Sequence, residues 1–262
     1  MAPTPGERFT FRKLKRAVVA AALLASTAAL AFVMPSFSIL RHMTNARDDL
    51  ALFAVRVDGL ASFHGSAVKE AGAALGIPSD RPELLTDASF AMKLPGRCRF
   101  ELNPLEGNRE AAVEANGKRR AEGQALAVTQ SALTAVCSLL AVRSSSEGEA
   151  RASVERFLEQ LKVDRAARTW LARFGGDVAY VIGSRDDTKP QLWVFKDNFL
   201  PARLRWSDAD GTAWDVRFYD YTSPATGEWF PRLLEVHRGG ELVLRFTSLK
   251  ADTKSPLPDK LF

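Results

Sequence analysis

The stretch from Gln191 to Leu249 consists of short apolar runs that alternate with polar residues and are separated by turn-forming residues. Trp214, Val216 and Phe218, for example, are each followed or preceded by a charged residue. An alternation with a period of two places the apolar side chains on one face of a β-strand. Intervening segments such as Gly239-Gly240 suit tight reversals of the chain. The stretch therefore predicts an antiparallel sheet with one apolar face, which another element must cover.

The N-terminal segment has a different composition. Residues 1–16 carry five basic residues and one acidic residue, and residues 17–38 carry no charge. A basic region followed by an apolar run is typical of a bacterial export signal. We expect residues 1–38 to be a signal peptide, with exit sites at residues 29–31 or 36–38, or else an uncleaved anchor. Both alternatives predict a periplasmic location, soluble after cleavage and anchored in the inner membrane without it, and leave residues 39–262 as a single domain.

The charge of the chain excludes one class of partner. The formal net charge is +5, and most of it comes from the first 16 residues. Once the export segment is set aside, the remaining residues are nearly balanced between basic and acidic side chains. No nucleic-acid-binding surface is therefore predicted.

The two cysteines, Cys98 and Cys137, both lie in the part of the chain that we expect to be exported, where a disulfide can persist. A bridge between them would join a predicted strand to a predicted helix. The alternative is a pair of buried thiols that pack as small apolar side chains. Without a CxxC motif or paired histidines, the cysteines do not predict a zinc site, and no cofactor is predicted.

Upstream of residue 191, strands come first and helices follow. Residues 48–65 and 87–94 have extended patterns, and residues 97–102 alternate without a fault. Apolar residues at helical spacing then occupy residues 124–143 and 149–161. With no βαβ alternation, this order predicts a mainly β (α+β) fold with one antiparallel sheet of about eight to eleven strands. So many twisted strands should curl, which predicts an incomplete β-barrel whose apolar concave face is covered by the inserted helices, at about 124–162.

Two segments carry a resemblance to a known family. The sequence from Phe90 to Phe100 resembles the strand–proline turn–strand signature of the LolA-like lipoprotein carriers, and Gly227–Pro231 and Leu257–Phe262 look like the end of the outer-membrane lipoprotein-sorting proteins of that superfamily. The resemblance spans about residues 48–262. It implies an incomplete barrel whose mouth is covered by helices, an apolar cavity for acyl chains, and a periplasmic location.

One departure from the family pattern concerns the lid. The arginine that in the family helps to latch the helical lid falls on Leu94 here. The resemblance therefore does not predict an arginine latch in this chain, and a Cys98–Cys137 bridge could staple the lid in its place.

Motifs for catalysis are missing from the sequence. The three histidines, His42, His64 and His237, are scattered, and no nucleophile elbow, glycine-rich phosphate loop or HExxH motif is present. His237 is predicted to be a surface histidine on the polar face of a strand. Asp186-Asp187 and the pair Asp208 and Asp210 are predicted to be turn residues rather than calcium ligands. We therefore predict that the protein is not an enzyme, with an envelope hydrolase as the weakest alternative.

The sequence thus predicts an exported carrier or chaperone that holds the acyl chains of lipids or lipoproteins. The alternative is an interaction or sensor module with a permanently filled barrel, which binds an envelope membrane protein. The tryptophans of the sheet either belong to the core or line the acyl pocket. The candidate residues of the apolar cavity are Phe90, Met92, Phe100, Leu102, Leu133, Leu140, Phe157, Trp193, Trp206, Trp214, Phe218, Leu244 and Phe246.

Overall fold

Twelve antiparallel strands form one sheet in the computed structural model, which describes residues 33–143 and 148–262. Residues 35–262 make up one compact unit. The predicted export segment falls almost entirely on residues 1–32, outside the described residues. The strands are β1 (Ala54–His64), β2 (Glu83–Lys93), β3 (Arg97–Asn103), β4 (Glu110–Ala115), β5 (Lys118–Glu122), β6 (Trp170–Phe174), β7 (Asp177–Gly183), β8 (Gln191–Phe195), β9 (Pro201–Ser207), β10 (Ala213–Tyr219), β11 (Leu233–Arg238) and β12 (Glu241–Asp252).

Helices flank the strands in four places within the described residues. They are α1 (Ser36–Asp49), α2 (Ser66–Leu75), α3 (Ala127–Leu140) and α4 (Glu149–Gln160), and a short 3-10 turn covers Asp259–Leu261. None of the helices in this part of the chain is long and apolar enough to cross a bilayer. The predicted start of the extended segment at residue 48 was wrong, because α1 continues to Asp49 and β1 begins only at Ala54.

The strand order is β5-β4-β3-β2-β1-β12-β11-β10-β9-β8-β7-β6, which places the first and last strands at the centre and leaves β5 and β6 as open edges. The predicted mainly β fold with an incomplete barrel is confirmed. The predicted strand number was too low. The edge strand β5 has the sequence KRRAE, which is nearly all polar and exposed. Because it has no alternation of apolar and polar residues, the sequence does not indicate a strand there.

Helices α3 and α4 occupy the connection between the two open edges, and α3 contacts β3 and β4 as well as β9, β10 and β11. In the sheet order, β4 and β9 are seven strand spacings apart, or about 34 Å in a flat sheet. A helix of 14 residues is only about 21 Å long. Eleven of the residues of α3 are buried, on every side of the helix. The sheet therefore curls around α3, which fills the hollow as well as covering it.

The inner face of the sheet carries a cluster of phenylalanines near α3. Phe90 and Phe100 stack with ring centroids 4.0 Å apart, and Phe246 meets Phe90 edge-on at 5.0 Å. Phe230 completes the cluster at 5.2 Å from Phe90, and all four rings are fully buried. Offset and edge-to-face contacts of this kind add to the burial of apolar area. This part of the hollow is therefore closed by the protein's own side chains.

Cys98 of β3 and Cys137 of α3 form a disulfide, with Cα atoms 5.7 Å apart. This is the first of the two arrangements that the sequence left open. The bridge is possible because the alternation of β3 turns Cys98, Phe100 and Leu102 inward, as predicted. The disulfide fastens the helix inside the sheet to one of the strands that surround it.

Candidate functional site

A cleft of about 730 Å³ remains at one end of the half-barrel. Its walls come from the C-terminal end of α3, from α4, and from the turns that connect β2 to β3 and β4 to β5. We call it the mouth cleft. It is lined by Phe53, Leu94, Pro95, Gly96, Glu114, Asn116, Gly117, Cys137, Ser138, Ala141, Val142, Arg143, Glu149, Ala150, Ser153, Arg156 and Phe157. Its volume lies within the range of pockets that hold small ligands.

The turn between β4 and β5 forms one wall of the mouth cleft. Asn116 and Gly117 have positive φ angles of 52° and 74°. An Asn-Gly pair with this geometry is the preferred connection of a two-residue hairpin. The turn therefore holds a fixed position beside the cleft.

The lining of the mouth cleft is apolar in its walls and charged at its rim. Leu94, Ala141 and Phe157 contribute apolar surface, while Glu114 and Arg143 contribute charge. Arg119 donates a hydrogen bond to the Glu114 carboxylate at 2.7 Å. The Arg143 guanidinium donates to the Leu52 carbonyl at 2.6 Å and lies 3.7 Å from the centroid of the Phe53 ring. An apolar chain with a polar head group fits such a lining.

Phe53 stands at the rim of the mouth cleft and is 64% exposed. Burial of an aromatic ring of this size is favourable, so the exposed ring forgoes that stabilisation. The Arg143 side chain covers one side of the ring. Most of the Phe53 side chain stays exposed beside the cleft despite this contact.

The C-terminal end of α3, beside the mouth cleft, is held by a buried arginine. Arg47 of α1 donates four hydrogen bonds, all to backbone carbonyls: two to Leu140 (2.9 and 3.3 Å), one to Glu228 (3.1 Å) and one to Trp229 (3.0 Å). Burial lowers the pKa of Arg47 to about 10, because its charged form loses water. The last carbonyls of a helix carry partial negative charge, which makes them good acceptors for a cation.

An arginine therefore does hold the inner helix, although the resemblance did not predict one at Leu94. Arg47 was missed because it is followed by Asp48 and Asp49, and such a run of charged residues usually lies on the solvent-exposed surface. The sequence did contain a signal. Ile39, Met43 and Arg47 follow one another at intervals of four, which places Arg47 on the apolar face of α1.

The backbone adds to this attachment. The Gly96 amide, in the turn between β2 and β3, donates to the Ala141 carbonyl at 3.0 Å. Together with the disulfide and Arg47, this bond ties the end of α3 to the β2–β3 hairpin and to α1. The inner wall of the mouth cleft is thus a rigid one.

The thirteen predicted cavity residues are all buried, and the structure brings only some of them together. Phe157 lines the mouth cleft. Phe90, Phe100 and Phe246 pack against one another in the phenylalanine cluster. The others lie elsewhere in the core: Met92, Leu102, Leu133, Leu140, Trp193, Trp206, Trp214, Phe218 and Leu244. Whether any of these side chains contacts a ligand stays a prediction.

The tryptophans of the sheet lie on two opposite faces. Trp206 and Trp214 are direct cross-strand partners with ring centroids 6.3 Å apart, and both indole N–H groups donate to the Asp208 carboxylate. On β9, Arg203 and Trp206 are three residues apart and therefore point to opposite faces of the sheet. Trp193 is the cross-strand partner of Arg203, so it lies on the face opposite to Trp206, where it packs against Trp170. These three tryptophans therefore do not line one common pocket.

The predicted position of His237 was wrong. The residue is buried rather than on the surface, and its Nε2 lies 3.2 Å from a carboxylate oxygen of Glu235. The cause is that the outer face of β11 is covered by long side chains from its neighbours, including Arg245, which donates to the same carboxylate at 2.8 Å. The second ring nitrogen has no partner in the described part of the chain.

The aspartates at the turns lie where the sequence predicts them. Asp186 accepts hydrogen bonds from the amide and hydroxyl of Thr188, and Asp210 accepts one from the Thr212 amide. These bonds lower the pKa of both carboxyl groups. Within residues 33–143 and 148–262, no three His, Cys, Asp or Glu side chains are grouped so that they could hold a metal ion.

Comparison with known proteins gives matches only among solved structures. No family model matches the sequence, and a search of curated proteins finds no significant match either. A structure of a LolA-superfamily protein from Nitrosomonas europaea is 14% identical, with a TM-score of 0.45, and the match covers 88% of this chain and 98% of that one.

Two further structures extend this comparison. An outer-membrane lipoprotein-sorting protein domain from Vibrio parahaemolyticus is 11% identical, with a TM-score of 0.39 and coverage of 86% and 94%. The MucA/MucB complex from Pseudomonas aeruginosa is 13% identical, with a TM-score of 0.31 and coverage of 86% of this chain and 59% of that one. Since identities and TM-scores this low say nothing about activity, we base the function on the geometry of this chain alone. The matches agree in name with the resemblance to LolA-like proteins that the sequence predicts.

Proposed function

We propose that this protein is an exported, non-enzymatic carrier or chaperone that binds the acyl chain of a lipid or lipoprotein in the mouth cleft. The observation that carries the proposal is the cleft itself, an open space of about 730 Å³ between α3, α4 and two hairpin turns. The proposal places the ligand at the mouth and not along the inner face of the sheet, because α3 and the phenylalanine cluster occupy that face.

The energetics of the mouth cleft suit an acyl chain. Burial of each methylene group contributes about 0.8 kcal/mol, so a chain of twelve carbons would contribute on the order of 10 kcal/mol before the cost of ordering it. Phe53 and Phe157 offer broad apolar surface without directional demands. Arg143 and Arg156 offer donors to a phosphate or carboxylate at the head of the ligand, and Glu114 and Glu149 in the same lining balance their charge.

A second candidate is a non-enzymatic interaction or sensor module that binds an envelope membrane protein. The observation that favours it is the filled hollow: α3 is buried on all sides and is fastened by the disulfide and by Arg47. A helix held in this way does not need to leave the sheet. In this function the mouth cleft would receive part of the protein partner.

The first experiment identifies a ligand without assuming one. The purified full chain is extracted with organic solvent, and the extract is analysed by mass spectrometry. The carrier proposal expects a lipid that co-purifies in a defined ratio to the protein. An extract without lipid, together with no saturable binding of a fluorescent fatty acid or a triacylated peptide, would contradict it and would favour the interaction module.

A matched pair of variants places the ligand. Ser153 lines the mouth cleft on α4, whereas Gln160 lies on the same helix outside it, and both are exposed. Ser153→Trp should fill the cleft and weaken the binding of the fluorescent fatty acid by about 10-fold or more, as expected for lost apolar burial. Gln160→Trp should leave the affinity unchanged. Equal effects of the two variants would show that the ligand does not bind in the mouth cleft.

The disulfide provides a further control. If the ligand binds at the mouth, saturable binding should occur with the Cys98–Cys137 bridge intact. Binding that occurs only after reduction would show that α3 has to leave the hollow, and the ligand would then belong to the inner face of the sheet.

A further inference from the structure

A second space opens on the other face of the sheet, away from α3. It has a volume of about 520 Å³ and lies along β9 and β10, between the loop that precedes β8 and the turn that connects β11 to β12. We call it the arginine groove. It is lined by Asp187, Thr188, Lys189, Arg203, Arg205, Trp206, Ser207, Gly211, Ala213, Trp214, Asp215, Arg217, Gly239 and Gly240. The lining contains four cationic side chains and two carboxylates, so the groove has an excess of positive charge.

One carboxylate of the arginine groove is committed to two of the arginines. Arg203 donates to both oxygens of Asp215, at 2.7 and 2.5 Å, and Arg217 donates to one of them at 3.0 and 2.7 Å. Burial alone would raise the pKa of Asp215, but these hydrogen bonds outweigh burial, and the pKa is lowered. Asp215 is therefore an ionised carboxylate that is already engaged by two arginines.

Arg205 is the third arginine, and both of its cross-strand partners are engaged elsewhere. On β10 its direct partner is Asp215, whose carboxylate turns to Arg203 and Arg217 instead. On β8 its partner is Gln191, whose amide donates to the Ser184 carbonyl at 2.7 Å and accepts from Trp193 at 2.9 Å. Across the described residues, the Arg205 guanidinium makes no hydrogen bond or ion pair of its own.

The surroundings of Arg205 favour an anion. Partial burial lowers the pKa of Arg205, and repulsion from Arg203 lowers it further, while attraction to Asp215 and Asp187 offsets part of this effect. A guanidinium offers five N–H donors in a planar fork that matches the oxygens of a phosphate group. Lys189 stands exposed on the loop before β8 and lines the same groove, so it can add a second positive charge to a bound anion.

We propose that the arginine groove is a binding site for a phosphate group, with Arg205 as its bidentate donor and Lys189 as a supporting cation. The site is separate from the mouth cleft and does not depend on the proposed carrier function. The chemistry is shared by free phosphate and by the phosphate of a lipid head group, and the experiment below separates these two sources.

The test uses the purified full chain and two probes. Inorganic phosphate is titrated by calorimetry at low, constant ionic strength, because salt screens an exposed site. Vesicles of phosphatidylcholine with and without phosphatidic acid are then offered in a sedimentation assay. Saturable binding of free phosphate assigns the site to small phosphates, whereas binding only to vesicles with phosphatidic acid assigns it to lipid head groups. Binding of neither probe would overturn the proposal.

Two variants that each remove one positive charge test whether Arg205 binds the phosphate. Arg205→Gln should weaken the binding of whichever probe binds by about 10-fold or more, since it removes the bidentate contact. Arg173→Gln is the control, because Arg173 is exposed on the inner side of edge strand β6 and loses the same charge. Equal weakening by both variants would indicate non-specific attraction and would overturn the proposal.

A further variant covers the case in which Arg205→Gln unfolds, which thermal unfolding would reveal. Lys189→Gln lies on an exposed loop and should weaken binding several-fold without a change in stability. Normal binding by a folded Arg205→Gln would overturn the proposal. If Arg205→Gln is unfolded, an affinity of Lys189→Gln equal to that of the unchanged protein would overturn it instead.

Discussion

Helices α3 and α4 follow one another in the chain and have similar lengths, yet their relation to the sheet is opposite. Eleven of the 14 residues of α3 are buried, whereas four of the 12 residues of α4 are buried. One helix fills the hollow of the sheet, and the other lies across its mouth against α1 and α3. The pair shows that two helices predicted by the same periodicity can have different structural roles.

The difference follows from side-chain chemistry. Residues 127–140 contain no charged side chain, and most of them are small or aliphatic, so the helix can be enclosed without burying a charge. Helix α4 carries charges in every turn, including Arg151 and Glu155, which form an i, i+4 ion pair at 3.4 Å. These charges have to remain near water. The mouth cleft lies where the enclosed helix ends and the charged one begins.

The largest expected effect comes from a charge placed on each helix at a serine. Ser131 of α3 is buried and Ser153 of α4 is exposed. Ser131→Glu should lower the free energy of unfolding by about 4–5 kcal/mol at pH 8, because it buries an unpaired carboxylate. Ser153→Glu should change it by no more than about 0.5 kcal/mol. Urea unfolding of both variants measures the difference.

This prediction has a definite pH dependence. Burial raises the pKa of a new carboxyl group, so the folded state binds the proton more tightly than the unfolded state does. The loss of stability in Ser131→Glu should therefore shrink as the pH falls from 8 toward 5. Equal losses at both serines, or a loss at Ser131 that grows on acidification, would contradict the enclosure of α3.

The second prediction concerns the disulfide, which fastens α3 but not α4. Cys98 and Cys137 are separated by 39 residues, and the loop-entropy relation gives a stabilisation of about 4 kcal/mol for a loop of this size. Replacement of both cysteines by alanine should lower the free energy of unfolding by about 2–4 kcal/mol. Hydrogen exchange should then accelerate more in α3 than in α4. Acceleration confined to α4 would contradict the assignment of the bridge to the inner helix.

The third prediction concerns Arg47. Arg47→Met keeps the apolar stem but removes the donors for the carbonyls of Leu140, Glu228 and Trp229. We expect a loss of about 2–3 kcal/mol in the free energy of unfolding, because buried acceptors are left unpaired. The measurement is urea unfolding beside the unchanged protein. A loss below about 0.5 kcal/mol would show that water reaches this end of α3.

The smallest expected effect is at Arg151, an arginine of the outer helix α4. Arg151 of α4 pairs with Glu155 and stacks at 4.0 Å on Phe37, in a partly exposed position. Arg151→Met should cost less than about 1 kcal/mol, since such ion pairs are screened by water. The same unfolding experiment as for Arg47 tests this. A cost equal to that of Arg47→Met would remove the contrast between the two helices.

Much of the local structure could be predicted from the sequence. The faultless alternation of residues 97–102 gave the faces of β3 correctly, and Asn116-Gly117 forms the hairpin turn between β4 and β5 that this pair favours. The helical periodicity at 124–143 and 149–161 predicted both helices, which the structure places at 127–140 and 149–160. Edge strand β5 was missed because a polar edge strand has no apolar face to mark it.

The candidate site was predictable only in part. Phe157 was expected beside a ligand and does line the mouth cleft. The remaining predicted residues share an apolar pattern with it, but a pattern does not distinguish a side chain that packs on its neighbours from one that faces an open space. Phe90 and Phe246 have ring partners, so their apolar surface is already used.

The sequence by itself determined most of the strands and helices and the apolar side of the strands that alternate, because these properties depend on neighbours a few positions away. The tertiary structure decided which helix is enclosed, that Arg47 reaches carbonyls 93 and 181 residues away, and that Arg205 loses its cross-strand partners to other groups. Such contacts join distant parts of the chain, and only the curled sheet brings them within reach of one another.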